Sequence, residues 1–550
     1  MTAATQIYYN GTIITMDQKD SIVTHLAVKD DTILAAGFEE IMQYKDKNTI
    51  CIDLKGKTLL PGFYDGHSHL MRAGQQFLYF LDLSAYPIGN LHTLDETAQR
   101  IKEHIKTVAK GEWVIGAGFD ETALKESRHF TLQELDEIAP ENPFIIRHIS
   151  GHLLLANSLA YEKAGITRET PNPAGARYRH DEKGNLTSVV EEPAAMEPFF
   201  KAGLPMTDEM WQKSVEYASK VYISKGITTA QDGNVTQNMW DNFFKAHEKN
   251  MLHCRVQLLP RYPLGYMDLD SFENPKAGTQ LTEDKYISLG AVKLLQDGSI
   301  QAYTGYLSQP YHKRIDDTLP NDNTWAGYAI HKREALCELV LKFHRQGWQV
   351  AIHANGDGAI EDIICAFEYA QQKCPRNDTR HIIIHCQTVR EDQLDRMQKA
   401  KILASFFVTH TYFWGDRHKN IFLGKERAER IDPLQSALRR RIPFTLHNDT
   451  YVTPIDPLLS VWSAVSRKTA KGEILGKEQQ IDVYNALKAI TVWGAYQFHE
   501  EKIKGSLEAG KLADFVILRQ NPLAVPKEDI KDIVISSTVI GGRCVYGSLE

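Results

Sequence analysis

The chain has 550 residues, 43% hydrophobic and 24% charged, and its 63 basic and 70 acidic side chains give a formal charge of −7. That balance is ordinary for a globular protein with material for more than one domain, and no run of like charge offers a nucleic-acid-binding tail. No window approaches the roughly 18 apolar residues of a membrane span, and the N-terminal residues lack a signal-peptide pattern. The seven cysteines are scattered, odd in number and without a C-x-x-C spacing, which suits reduced thiols. A cytoplasmic protein with neither a membrane nor a nucleic-acid partner is expected, and homo-oligomerisation stays open.

In chain order, Ile7–Tyr9, Thr12–Thr15, His25–Lys29 and Thr32–Ala36 read as short strands separated by Asn10-Gly11 and Asp30-Asp31. The other end has the same texture at Ala513–Leu518, Ile530–Ile535 and Thr538–Tyr546, with a turn at Gly541-Gly542. Neither end is long enough for a core of its own, so residues 1–56 plus 505–550 are expected to build one β-sandwich domain. Residues 57–504 lie between them.

That middle region alternates strand and helix. Strands are expected at Leu59–Tyr64, Ile227–Gln231, Cys254–Pro260, Leu289–Leu295, Gln349–His353, His381–His385, Ile402–Phe407 and Pro443–His447. Helices are expected at Asp208–Lys225, Asn238–Lys249, Arg333–Gln346, Ile360–Gln372, Glu391–Lys399 and Pro433–Arg440. Eight βα units point to an α/β (β/α)8 TIM-like barrel. Residues from about 84 to 206 read as an inserted α/β subdomain over the barrel mouth, or else one of their strands shifts the barrel count.

The strand ends carry the chemistry. Leu60-Pro61-Gly62-Phe63-Tyr64-Asp65-Gly66-His67-Ser68-His69 ends in a His-x-His pair, and alternation in an extended strand puts both rings on one side. The later strands deliver Lys293, His353, His385 and, in His447-Asn448-Asp449, Asp449. Neutral imidazoles with a carboxylate and an open position suit a divalent metal, zinc first and iron or manganese after it.

These residues resemble the amidohydrolase superfamily of metal-dependent hydrolases. Val292-Lys293-Leu294-Leu295-Gln296-Asp297-Gly298-Ser299, His353-Ala354-Asn355-Gly356-Asp357 and Gly505-Ser506-Leu507-Glu508-Ala509-Gly510-Lys511 resemble the branch that contains N-substituted formamide deformylases. The resemblance implies a (β/α)8 barrel with a β-sandwich from both termini. It also implies metal ligands at His67, His69, Lys293, His353, His385 and Asp449, with one or two ions per chain. Lys293 would carry a carbon dioxide-derived carbamate bridging two of them; the alternative is one metal and an unmodified lysine.

The expected function is hydrolysis of a small, non-peptide amide, N-substituted or cyclic, by attack of metal-bound hydroxide with Asp449 as proton shuttle. Deamination or ester hydrolysis at the same site, and an inactive scaffold of the same fold, are the alternatives. His152, and His410 with Trp414 in the loop after strand seven, either contact the substrate or only pack. His447 is expected to pack or hydrogen-bond at the barrel rim, and Asp297 to orient nearby backbone.

Overall fold

The computed structural model describes residues 2–263, 267–313 and 324–549. Two parallel arcs occupy the middle of the chain. Phe63–Ser68, Ile227–Val235, Arg255–Pro260 and Ile287–Leu289 form one. Val292–Leu295, Val350–Ala354, Ile382–His385, Leu403–Phe406 and Phe444–Leu446 form the other. These strands are almost continuously buried, as parallel strands covered on both faces must be. Helices such as Asp208–Ser224, Gln237–Glu248 and Asp357–Lys373 alternate with them, giving a TIM-barrel-like α/β fold. The first two begin at threonines, Thr207 and Thr236, whose side chains accept from Met210 N and Met239 N.

Two expected strands divide. Leu289–Leu295 breaks between the arcs at Gly290, where a Cβ would lie 2.3 Å from Leu259 Cδ1. The first strand divides as well. Thr58–Pro61 pairs antiparallel with Phe515–Leu518 and parallel with Thr12–Ile14, so the terminal sheet extends past residue 56. The strand that carries the histidines starts at Phe63.

The terminal strands make a four-stranded and a six-stranded sheet around Tyr8, Ile13, Leu26, Leu59, Phe515 and Val539. A buried Arg255–Asp514 pair, at 2.7 Å, ties this region to a barrel strand. The strand expected at Ile530–Ile535 is instead a 3-10 helix, Lys527–Asp532, and the strand begins at Ile535. Pro526 precedes it and Ile530 is the helix's one buried residue, so the alternation a strand needs is missing.

Between residues 81 and 191, six strands pair with one another and not with either arc. Alternation sends Phe144 and Ile146 to one face, with Phe119 and Phe130, and Ile145 to the other, with Tyr161 and Phe199. Among the described residues no helix is long and apolar enough to cross a membrane.

Candidate metal centre and active site

The carboxyl ends of the parallel strands meet at a cavity of about 60 Å3 whose walls include His67, His69, His152, Lys293, His353, His385 and Asp449. One ligand atom each from His67, His69 and Asp449 lies within 4.8 Å of the other two. Asp449 Oδ1 is 3.3 Å from His69 Nε2 and 3.7 Å from His67 Nε2, and Asp449 Oδ2 is 3.9 Å from His385 Nε2. Lys293 Nζ stands 3.3 Å from His67 Nε2. The rings of His353 and His385 lie 4.6 Å apart, centre to centre.

Three of the four histidines are held by their outer nitrogens. His67 Nδ1 meets Gln231 Oε1 at 3.3 Å, His353 Nδ1 meets Asp297 Oδ1 at 3.1 Å, and His385 Nδ1 meets His447 Nε2 at 3.1 Å. The His67 and His385 Nε2 atoms are thereby turned toward Asp449, the orientation that partners behind the ligands give a metal-binding imidazole. His69 Nδ1 and Asp449 Oδ1 are buried without a hydrogen-bond partner. Buried polar atoms left unsatisfied are costly, so this donor set fits divalent cations.

The local backbone is built for close approach. A Cβ on Gly233 would fall 2.0 Å from His67 Cε1, so only glycine lets that ring lie against the second strand. His385 (φ 68°), Asp449 (φ 51°) and Glu192 (φ 68°) adopt the left-handed region that side chains seldom tolerate.

The electrostatics follow from burial. Burial, then the neighbouring Lys293 charge, holds His67 well below the usual imidazole range, and burial with neighbouring histidines does the same at His385. Burial is also the main force on His353, with the His152 and Lys293 charges adding to it. All three imidazoles are neutral near pH 7. Burial brings Lys293 down to about 7, Asp449 opposing and Arg261 adding to the shift. At Asp449 burial pushes upward, but the close approach and charge of His69, with the charges of His447 and Lys293, outweigh it and keep the carboxylate below its ordinary range.

His152 enters the cavity from the inserted sheet, its Nδ1 2.7 Å from Glu192 Oε2 and its ring 4.9 Å from that of His353. His410 lines an adjoining recess of about 20 Å3 with His353, His385 and Asp449. Trp414 lines neither space. It is 1% exposed and its indole donates to Asp120 at 2.9 Å, which favours, of the two readings, the one in which Trp414 packs the loop. His447 stands behind His385 and meets Ser405 Oγ at 2.8 Å, and Asp297 accepts from Tyr306, Asn355 and Gly356 backbone N–H groups.

Sequence reasoning missed Gln231, Arg261 and Glu192. Arg261 directly follows strand three, so the strand-end rule that found the histidines would have found it, whereas Gln231 sits in the middle of strand two, outside that rule. Glu192 follows a strand of the insertion and had no such signal.

Buried imidazoles around one carboxylate, at the strand ends of a TIM-barrel-like fold, define the class of metal-dependent hydrolases. The sequence model of the amidohydrolase family matches residues 51–546, and the chain belongs to that family. It is 29% identical to the candidate amidohydrolase YtcJ of Bacillus subtilis (strain 168), over 98% of this chain and 99% of YtcJ. It is 26% identical to the N-substituted formamide deformylase of Arthrobacter pascens, over 98% of this chain and 97% of that protein. Among solved structures, an uncharacterized metal-dependent hydrolase from Pyrococcus horikoshii OT3 aligns with a TM-score of 0.72 at 26% identity, covering 95% of this chain and 99% of its own.

Proposed function

We propose that this protein hydrolyses a C–N bond in a small, non-peptide amide, N-substituted or cyclic. The observation that carries the reading is the shared cavity of His67, His69, Lys293, His353, His385 and Asp449, with imidazoles fixed from behind. His67, His69 and Asp449 would hold one divalent cation, with zinc the best match to the donors, and His353 and His385 a second. A cation there supplies Lewis-acid polarisation of the carbonyl and acidifies water.

The chain's own contribution is positional and protolytic. Asp449 Oδ1, bare of other hydrogen bonds, accepts the proton of the attacking water, and the same carboxyl returns it to the leaving nitrogen. His152, held by Glu192, stands where it would donate to a substrate oxygen. Lys293, buried beside His67, would add carbon dioxide through its neutral amine, releasing one proton and leaving a two-oxygen anion between the two ion sites. In this reading the arcs close into one eight-stranded barrel, the termini form the β-sandwich beside it, and the insertion roofs the mouth.

Metal analysis of the purified protein, with turnover of N-formyl, N-acyl, cyclic-amide and ester panels, tests the proposal. Two zinc ions per chain, reactivation of the metal-depleted protein by zinc that depends on added bicarbonate, and cleavage of an amide are expected. Preference for esters or for amidines would move the reaction to another bond. A folded protein without stoichiometric metal would be a scaffold.

A further inference from the structure

A second, larger cavity of about 570 Å3 adjoins the metal centre and shares Gly151, Pro193, Asn234, Arg261 and Tyr451 with it. Three arginines line it: Arg72, Arg147 and Arg261. Among the described residues none of the three forms an ion pair with a carboxylate. Arg261 Nη1 donates to Asn234 Oδ1 at 2.9 Å, while its Nε and that of Arg72 are buried without a hydrogen-bond partner. Arg147 is 4% exposed, donates to Gln76 and lies 3.6 Å over the Tyr451 ring. Burial brings Arg147 and Arg261 down to about 10, with the Arg72 charge adding to the shift at both and Tyr451 opposing it, so both still carry a positive charge at neutral pH.

The acidic side chains at the outer wall form no ion pair with this cluster. Asp208 is tied to Lys245 at 2.6 Å, Asp241 accepts from Gln237 at 2.8 Å, and Glu197 is exposed. Glu192 and Glu197 lend some counter-charge to Arg261, and Asp232 to Arg72, but none of them closes to an ion pair, so a ligand anion would satisfy the guanidinium N–H groups left without a partner. A guanidinium fork matches a carboxylate in two parallel hydrogen bonds. Arg261 stands at the seam of the two cavities, and its backbone bridges in parallel to Lys293.

We propose that the amide substrate carries a carboxylate on its amine portion, received by Arg261 with Arg72 and Arg147 deeper in the cavity. This rests on the amide-hydrolase reading above. The small cavity at the metals takes the scissile group, and the larger one takes the carboxylate-bearing remainder against Met196, Phe200 and Tyr451.

The test compares N-acetyl and N-formyl amino acids with the matching N-acyl amino alcohols, which keep the amide and the side chain and lose the charge. On the metal-loaded protein, kcat/KM for the acids should exceed that for the alcohols by about 10- to 100-fold, the range of one charge-assisted hydrogen-bonded contact. Arg261→Gln and Arg72→Gln should each collapse that ratio. Equal or faster turnover of the alcohols overturns the proposal, and this comparison needs no variant to fold. If neither series is cleaved, the amide reading is judged by the wider panel above, and equilibrium dialysis of N-acetylphenylalanine against N-acetylphenylalaninol still judges the anion site. Binding of the acid alone, lost in Arg261→Gln, upholds it; equal binding or none refutes it.

Discussion

Asp449 carries two burdens at one position. Its Oδ1 faces His69 and His67 while its Oδ2 faces His385, and its backbone is held at φ 51° to aim both oxygens inward. Asp449→Asn keeps the shape, and asparagine tolerates the left-handed region, so the fold should survive. An amide cannot take a proton from water, so turnover should fall by about 10²- to 10⁴-fold, the span of a lost general base. Steady-state rates beside circular dichroism check this, and near-normal turnover in a folded Asp449→Asn would remove the assignment. The histidines, Lys293 and Asp449 were legible in the sequence because each lies on or just past an apolar strand, and a parallel barrel sends strand ends to one place. What holds them was not. Gln231 reaches His67 across 164 positions and His447 reaches His385 across 62, and no local pattern encodes such meetings.

At the scale of elements, the insertion is clamped to the loop after strand seven. Asp120 ends the inserted strand Val114–Phe119 and caps the short helix that follows. It accepts from Trp414 Nε1 at 2.9 Å and Arg417 Nη1 at 2.6 Å, both on the helix His410–Arg417. Burial alone would raise the Asp120 carboxyl, but the charges of Arg417 and His148 and the bonds from Thr122 and Trp414 bring it down to about 2. A depressed folded pKa stabilises above the unfolded value and is lost as pH falls through the folded one. The clamp should therefore be intact at pH 5 and fade between about pH 4 and pH 2, a change on the order of 2 kcal/mol. Asp120→Asn should lower the melting temperature at pH 5 and shrink the wild-type drop between pH 5 and pH 3. An equal acid sensitivity in both proteins would place the titrating group elsewhere. The aromatic character of 409–418 was plain in the sequence, yet its direction was not. A tryptophan facing solvent-filled space and one facing a buried carboxylate have the same local pattern.

For the whole molecule, the two ends of the chain and its middle share their stability. Phe515–Leu518 is the partner of Thr58–Pro61, one residue before the strand that delivers His67, and Gly62 N donates to Asp514 O. Compositional likeness between the termini made their association readable, while the exact seam was hidden. Leu59, Leu60, Phe63 and Tyr64 are uniformly apolar, and only pairing separates the sheet that ends from the strand that begins. Ending the chain at Lys504 would strip three strands from that sheet and uncover Tyr8, Ile13 and Leu59, which pack in one cluster with the removed Phe515 and Val539. It would also leave Arg255, 3% exposed, without Asp514. A buried charge robbed of its partner costs about 3–5 kcal/mol, a large part of a typical stability of roughly 5–15 kcal/mol. The truncated chain should be insoluble or melt far below the intact one, and Asp514→Asn in the full chain should show the charge component alone. A soluble truncation with an unchanged melting temperature would make residues 505–550 an appendage, and the histidine strand independent of them.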